Sequence, residues 1–262
     1  EPEVIEQAPF EMTAAGFGDT IAKSFSGADW KMNNMLFNEY YCPFCASLID
    51  ELEKGYLENP QRIKNKKPQA IKTLFEALFM EGAAMTLVGT SVPASGGEHL
   101  FSHTLDMYSD LNGLEHDLHG RQVGVGVIIS AALFERVYSI NAPKLHNMPE
   151  TIDQAFWGKG PLAKAAAKQW NAKMQFVDTM KEKLSERVSW NRLREEVWAQ
   201  VRNAETVKSW LKSAAAAHRL SDIGVDRELG IRAIKVMNQF RARPTIVDTA
   251  FLTGVLPHCA EE

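Results

Sequence analysis

The sequence has 262 residues, 45% of them hydrophobic and 24% charged, with 29 Lys and Arg against 33 Asp and Glu. That composition suits a soluble globular protein with one large core or two modest ones, and a net charge of -4 gives no electrostatic reason to expect nucleic acid or an anionic membrane as partner. No apolar run approaches the roughly 18 residues of a membrane span, and three cysteines make no disulfide scaffold, which implies a reducing, cytoplasmic setting.

Taken in chain order, the sequence opens Glu1-Pro2-Glu3, with neither an initiator Met nor a basic region ahead of an apolar stretch, so no signal peptide is expected and residue 1 reads as lying inside a longer polypeptide. Thr13 to Lys31 spaces Phe17, Ile21 and Phe25 one helical turn apart and ends near Trp30. Asn33 to Glu53 continues with Met35, Leu36, Tyr40, Leu48 and Leu52 as an apolar side. Within it, Cys42-Pro43-Phe44-Cys45 has the spacing of a redox or zinc motif. With no second pair and no βαβ context, it reads as two reduced cysteines where a helix begins. Asn59 to Gln69, with two prolines and a basic run from Arg62 to Lys67, reads as a solvated connection. Ala70 to Thr86 reads as an apolar helix through Leu74, Leu78 and Met85. Val88 to Gly97 breaks it with Gly, Ser and Pro, which lets the chain approach a ligand closely.

His99 to Asp110 reads as a short helix closed by an Asn112-Gly113 turn, and Gly120 to Tyr138 as an apolar helix flanked by glycine. Pro143 to Pro161 is a loop around a short helix. Leu162 to Trp198 forms one or two amphipathic helices carrying Trp170, Phe176, Leu184 and Trp190. Val207 to Ala217 and Arg227 to Phe240 add two more, and Thr245 to Leu252 a last one with Thr245 as its cap. Sustained apolar–polar alternation is missing throughout, as are internal repeats. The expected architecture is a single all-α domain, with the six tryptophans as core and packing residues and an apolar patch exposed for docking.

Four of the seven histidines fall between His99 and His119. His99 and His103, four apart on a helix, share one face, the geometry that holds one ion or an ion and its ligand. His116 and His119 follow three apart. Imidazole ligates zinc, nickel or iron, usually with a carboxylate as companion. Asp19, in Gly16-Phe17-Gly18-Asp19 at an expected helix start, is the natural carboxylate. The plainer alternatives are surface or core histidines and an N-cap aspartate.

Three blocks then carry a resemblance: Ala14 to Lys23 (AAGFGDTIAK), Gly89 to Asp106 (GTSVPASGGEHLFSHTLD) and Leu118 to Gly126 (LHGRQVGVG). Together they resemble the sn-glycerol-1-phosphate dehydrogenase family, within the superfamily of iron-containing alcohol dehydrogenases, glycerol dehydrogenases and dehydroquinate synthases. The resemblance implies a helical bundle that is the C-terminal half of a two-domain enzyme, whose N-terminal Rossmann-like domain, absent from this chain, binds NAD(H) or NADP(H). The isolated chain is then expected not to turn over. It implies Asp19, His99 and His119 as ligands of a divalent metal, zinc first, with nickel or iron as alternatives. His103 would be the catalytic proton donor and, with Asp19, a substrate contact. Related glycerol dehydrogenases use the histidine at the His103 position as ligand, and His116 is an alternative to His119.

Arg121, where family motifs commonly have Glu, is a candidate for the substrate phosphate, while Lys23 reads as a helix-surface or salt-bridge residue. The implied reaction is reduction of dihydroxyacetone phosphate, a small phosphorylated ketone, by the nicotinamide, with homo-oligomerisation left open. A dehydroquinate synthase-like lyase domain and a non-catalytic metal-binding or interaction module are the alternatives carried forward.

Overall fold

The computed structural model describes residues 2–48 and 50–262, and among them there is no β-strand. Position 49, inside the helix expected over 33–53, lies outside the described residues. α1 (Pro2–Glu6) and α2 (Phe10–Thr20) lead into α3 (Lys23–Phe37). The single helix expected from Thr13 to Lys31 is therefore two. The break at Ile21–Ala22 keeps right-handed helical dihedrals but tightens, with the Ala22 N–H donating to Asp19 O three residues back, which bends the chain without a Gly or Pro to announce it. Phe17, Ile21, Phe25 and Trp30 are all buried across the bend.

α3 stops at Asn38, which is left-handed at φ 55°. The chain then runs without helix to α4 (Pro43–Ser47), followed by α5 (Asp50–Leu57) and α6 (Gln61–Lys64). The helix expected through 33–53 is thus interrupted, and Tyr40, expected on its apolar side, is exposed. The basic connection is also more ordered than its charge suggests. Ile63 is fully buried within α6, and the Lys66 ammonium donates to the carbonyls of Glu6 and Ala8.

α7 (Pro68–Val88) starts on a proline and ends at left-handed Gly89, as Pro-in, Gly-out signalling dictates. After the Gly-Ser-Pro break come α8 (Gly97–Asn112) and α9 (His119–Tyr138). α9 is the hub, packed against α8, α2, α13 (Ala204–Ser213) and α15 (Ile246–Leu252). Its closest contacts with α2 and α8 are backbone to backbone. A Cβ on Gly18 would stand 2.1 Å from the Gly120 carbonyl oxygen, and one on Gly120 2.0 Å from that of Ala15. Likewise a Cβ on Gly126 would lie 2.3 Å from Glu98 O. Hydrogen is the only side chain these crossings admit, so α2, α8 and α9 meet closely at one end.

The remaining helices complete the core. They are α10 (Gln154–Trp157), α11 (Pro161–Ser185), α12 (Arg187–Glu196) and α14 (Arg227–Val236). α11 buries Ala163, Ala166, Trp170, Lys173, Val177, Met180 and Leu184, a three–four spacing that marks one helical face. Of the tryptophans, Trp30, Trp157, Trp170 and Trp190 are buried, while Trp198 and Trp210 are half-buried against the core. α14 ends four residues short of the expected Phe240. The amides of Asn238 and Gln239 turn inward instead, Gln239 Oε1 accepting from Trp157 Nε1 at 2.8 Å and from Asp153 N at 2.9 Å. Inside this packing the fully buried Lys173 ammonium lies 2.8 Å from Asp248 Oδ1 and also donates to the Asn238 carbonyl.

Candidate metal and substrate site

Where α2, α8 and α9 converge, Asp19, His99 and His119 place one ligand atom each within 4.8 Å of one another. Asp19 Oδ1 lies 3.3 Å from His99 Nε2 and 3.9 Å from His119 Nε2. Asp19 is the next-to-last residue of α2, so it is neither at a helix start nor an N-cap. Its position follows from Gly18, whose contact with Gly120 sets the carboxylate beside His119, the residue preceding Gly120.

Each imidazole is held from behind. His99 Nδ1 faces Glu98 Oε1 at 2.9 Å, and Glu98 Oε1 also accepts from the Gly96 N–H at 2.6 Å. His119 Nδ1 meets Ser102 Oγ at 3.0 Å, and that hydroxyl donates to Gln122 Oε1 at 2.8 Å. These bonds at Nδ1 leave both Nε2 atoms turned to Asp19, the arrangement in which outer partners fix the orientation of histidines around a cation. Two imidazole nitrogens, from α8 and α9, and a carboxylate from α2 make a donor set that fits a divalent transition ion.

The electrostatics agree with that fit. Burial pushes His99 down, but the hydrogen bonds and charges of Asp19 and Glu98 outweigh it and hold the imidazole up at about 9. Burial pushes Asp19 up, and His99, His119 and His103 overcome this to leave the carboxyl below its ordinary range. Without an ion, one proton on His99 stands where positive charge is wanted. His119 is pushed down by burial and the neighbouring His99.

His103 borders the same space, its ring centroid 6.1 Å from that of His99 and 5.4 Å from that of His119. It forms a second grouping with Asp106 and His119 and packs edge-on against Phe240 at 6.1 Å. Burial, then the charges of Arg241, His99 and His119, pull it down to about 4. His116 stays outside, bridging Asp106 Oδ1 at 3.2 Å and Asp110 Oδ1 at 3.1 Å.

Two expected roles change. Arg121 is committed to structure, its Nε donating to both Asp117 oxygens at 2.8 and 3.1 Å and its terminal nitrogen to the Asp222 carbonyl. Lys23 is buried, not on the surface, and donates to the Pro93 carbonyl at 2.8 Å. Sequence reasoning also missed Glu98, Ser102, Asp29 and Arg241. Asp29 accepts from Gly97 N and Ile246 N, both at 2.7 Å, so it anchors the start of α8. Arg241 donates to Ser95 Oγ at 2.9 Å. The only advance signal was position, since Glu98 and Ser102 flank His99 on its own helix.

Comparison with known proteins settles the kinship. Over 246 residues, covering 94% of this chain and 54% of the relative, the sequence is 33% identical to a glycerol-1-phosphate dehydrogenase, NAD(P)+, of Halalkalibacterium halodurans. The chain belongs to the glycerol-1-phosphate dehydrogenase family. Enzymes of the same name from Thermococcus kodakarensis, 38% identical over 165 residues (58% of this chain, 46% of the relative), and Geobacillus stearothermophilus, 37% over 154 residues (59% and 38%), are similarly related. The chain spans about half the length of the curated relatives it matches. No protein-family model matches it. Family membership agrees with the helical fold, and no helix among the described residues is long and apolar enough to cross a membrane.

Proposed function

We propose that this chain forms the metal- and substrate-holding part of an NAD(P)-dependent polyol-phosphate dehydrogenase that reduces dihydroxyacetone phosphate to glycerol 1-phosphate. The observation that carries the reading is the convergence of Asp19, His99 and His119, each histidine backed at Nδ1, in a chain of this family. These three residues would hold a divalent cation, zinc first, with nickel or iron compatible with the same donors. When bound, such an ion supplies Lewis-acid polarisation of a carbonyl oxygen.

The chain's own residues do the rest. His103, neutral at physiological pH because burial and Arg241 pull it to about 4, offers one N–H to a substrate oxygen. Its other nitrogen accepts a proton from water as that N–H is given up, which relays a proton to the product oxygen without a charged imidazole at rest. Phe240 keeps one flank of His103 dry. Arg241 remains a cation although burial lowers it to about 10. Its charge reaches His103, and its hydrogen bonds go to the neutral oxygens of Ser95 where those of Arg121 go to the Asp117 carboxylate, so it replaces Arg121 as the partner proposed for the substrate phosphate. The nicotinamide is assigned to polypeptide other than these helices, since the described residues contain no strand and hence no βαβ unit.

Metal analysis of the zinc-loaded chain beside Asp19→Ala, His99→Ala and His119→Ala, with dihydroxyacetone phosphate binding followed by ligand-observed NMR, tests this reading. One ion per chain, lost in each variant together with ketone binding, is the expected result. Stoichiometric metal with no ketone binding would instead identify a non-catalytic metal-binding module, and metal retained in the variants would overturn the ligand set.

A further inference from the structure

The Cys42-Pro43-Phe44-Cys45 segment takes no part in the histidine site, and its geometry is specific. Cys42 caps α4, its Sγ accepting from the Cys45 N–H at 3.4 Å. Both cysteines are free thiols. Cys42 is half-buried, and Cys45, one turn on, is buried between Trp30 and Ala84, with Val88 and Val92 at the edge of the same small cluster. Trp30 is itself fixed there, its indole N–H donating to the Tyr40 carbonyl at 2.7 Å and its ring 4.7 Å from that of Tyr41.

A half-buried sulfur thus accepts the backbone N–H of the very residue that carries the buried one, one helical turn on. We infer that Cys42 and Cys45 are a reversible dithiol–disulfide pair, in which Cys42 reacts first with a small-molecule disulfide of the glutathione type and Cys45 resolves the adduct. The hydrogen bonds to Cys42, led by that of the Cys45 backbone N–H, hold its thiol below the ordinary range, whereas burial pushes Cys45 up. This division suits an attacking sulfur and a resolving one.

The chemistry balances. The Cys42 thiolate attacks one sulfur of the small disulfide, forming a mixed disulfide and releasing one small thiolate. The Cys45 thiol then gives up its proton, and its sulfur attacks Cys42 Sγ, releasing the second small thiolate. Two protein thiols are oxidised by two electrons, one small disulfide is reduced to two thiols, and the two protein protons end on them. In a reducing compartment such a pair is a transient, sensing disulfide rather than a structural one. The new bond would span the turn that the Cys45 N–H to Cys42 Sγ hydrogen bond already closes, beside Trp30 and Ala84 near the end of α7 that leads towards the His99 helix.

This inference does not depend on the proposed reaction. The full chain is equilibrated in glutathione buffers of rising oxidised fraction, then quenched with acid, alkylated and mapped by mass spectrometry. Two of the three thiols should become unreactive together, linked as Cys42–Cys45, while Cys259 stays alkylatable in every buffer. Cys45→Ser should stop at one glutathione adduct on Cys42, and Cys42→Ser should leave Cys45 reduced. Three alkylatable thiols across all buffers, or a disulfide that includes Cys259, would overturn the inference. The wild-type titration decides this even if either variant fails to fold.

Discussion

The histidine cluster and the Lys173–Asp248 pair both bury ionisable groups among helices, and they treat charge in opposite ways. Around Asp248 every charge is answered from within. Oδ1 receives Lys173 Nζ and Asn238 Nδ2 at 2.8 and 2.9 Å, and Oδ2 receives the Thr245 N–H at 2.8 Å. Burial draws the Lys173 ammonium down and Asp248 holds it up, with burial ahead. In the histidine cluster the outer bonds are made at Nδ1, and the Nε2 atoms and the Asp19 carboxylate face one another. The first arrangement is complete as protein, whereas the second has its donors gathered for a cation. Buried charge on its own therefore does not mark a functional site. The direction in which its lone pairs are left pointing does.

The largest effect should come from breaking the complete pair. Lys173→Met strands the Asp248 carboxylate in the core and should cost about 3–5 kcal/mol in urea unfolding. A loss below about 1 kcal/mol would show that water reaches the pair. Breaking the gathered donors should do the reverse. Asp19→Asn should abolish stoichiometric zinc while costing the metal-free chain less than Lys173→Met, because the Asp19 side chain is partly exposed and the buried His99 keeps Glu98 as a second carboxylate partner. Equilibrium dialysis beside chemical denaturation measures both.

Sharpening the contrast needs the outer shell. Glu98→Gln leaves the three candidate ligands intact but weakens the partner of His99, so zinc affinity should fall roughly 10–100-fold without loss of stoichiometry at saturating metal. In the metal-free chain, His99 is raised from its ordinary 6.5 to about 9. A raised folded value means stabilisation that is fully present below about 6.5 and lost as pH climbs through about 9. Thermal melts in chelator should therefore decline across that window, and His99→Gln should flatten the decline. The smallest effect belongs to the capping box in which Thr245 and Asp248 close the start of α15. Thr245→Ala should lower stability by about 1 kcal/mol and leave metal content unchanged.

Periodicity and punctuation made much of the helical order legible. The helix expected over Ala70–Thr86 is α7, which extends two residues further at each end to Pro68 and Val88, and the glycine-flanked apolar run expected over Gly120–Tyr138 is α9. What stayed hidden depended on contacts between helices. Nothing local marks the bend at Ile21–Ala22, so Asp19 reads as a helix start when it is a helix end. Lys23 looks like a surface residue because charge usually is, yet the Pro93 carbonyl gives its ammonium an interior partner. At the site, the block resemblance brought out Asp19, His99 and His119, and the structure brings them together. The same blocks made Arg121 a phosphate candidate, although Asp117, four residues earlier, already occupies its guanidinium. Glu98 and Ser102 went unread because their roles appear only once His99 and His119 have been turned by the helix crossings.

The crossing of α2 and α9 at Gly18 and Gly120 has a consequence for selectivity. Asp19 and His119 are the immediate chain neighbours of the two glycines, so main chain against main chain sets how far apart the backbones of these two donors stand. A receptor of that kind spends little entropy on ordering when an ion arrives, and it adapts little to ionic radius. A methyl group added at either glycine would act as a wedge, prising the carboxylate from the imidazole by a set increment. A Gly18→Ala and Gly120→Ala pair would thus be a ruler for how much misfit each metal tolerates.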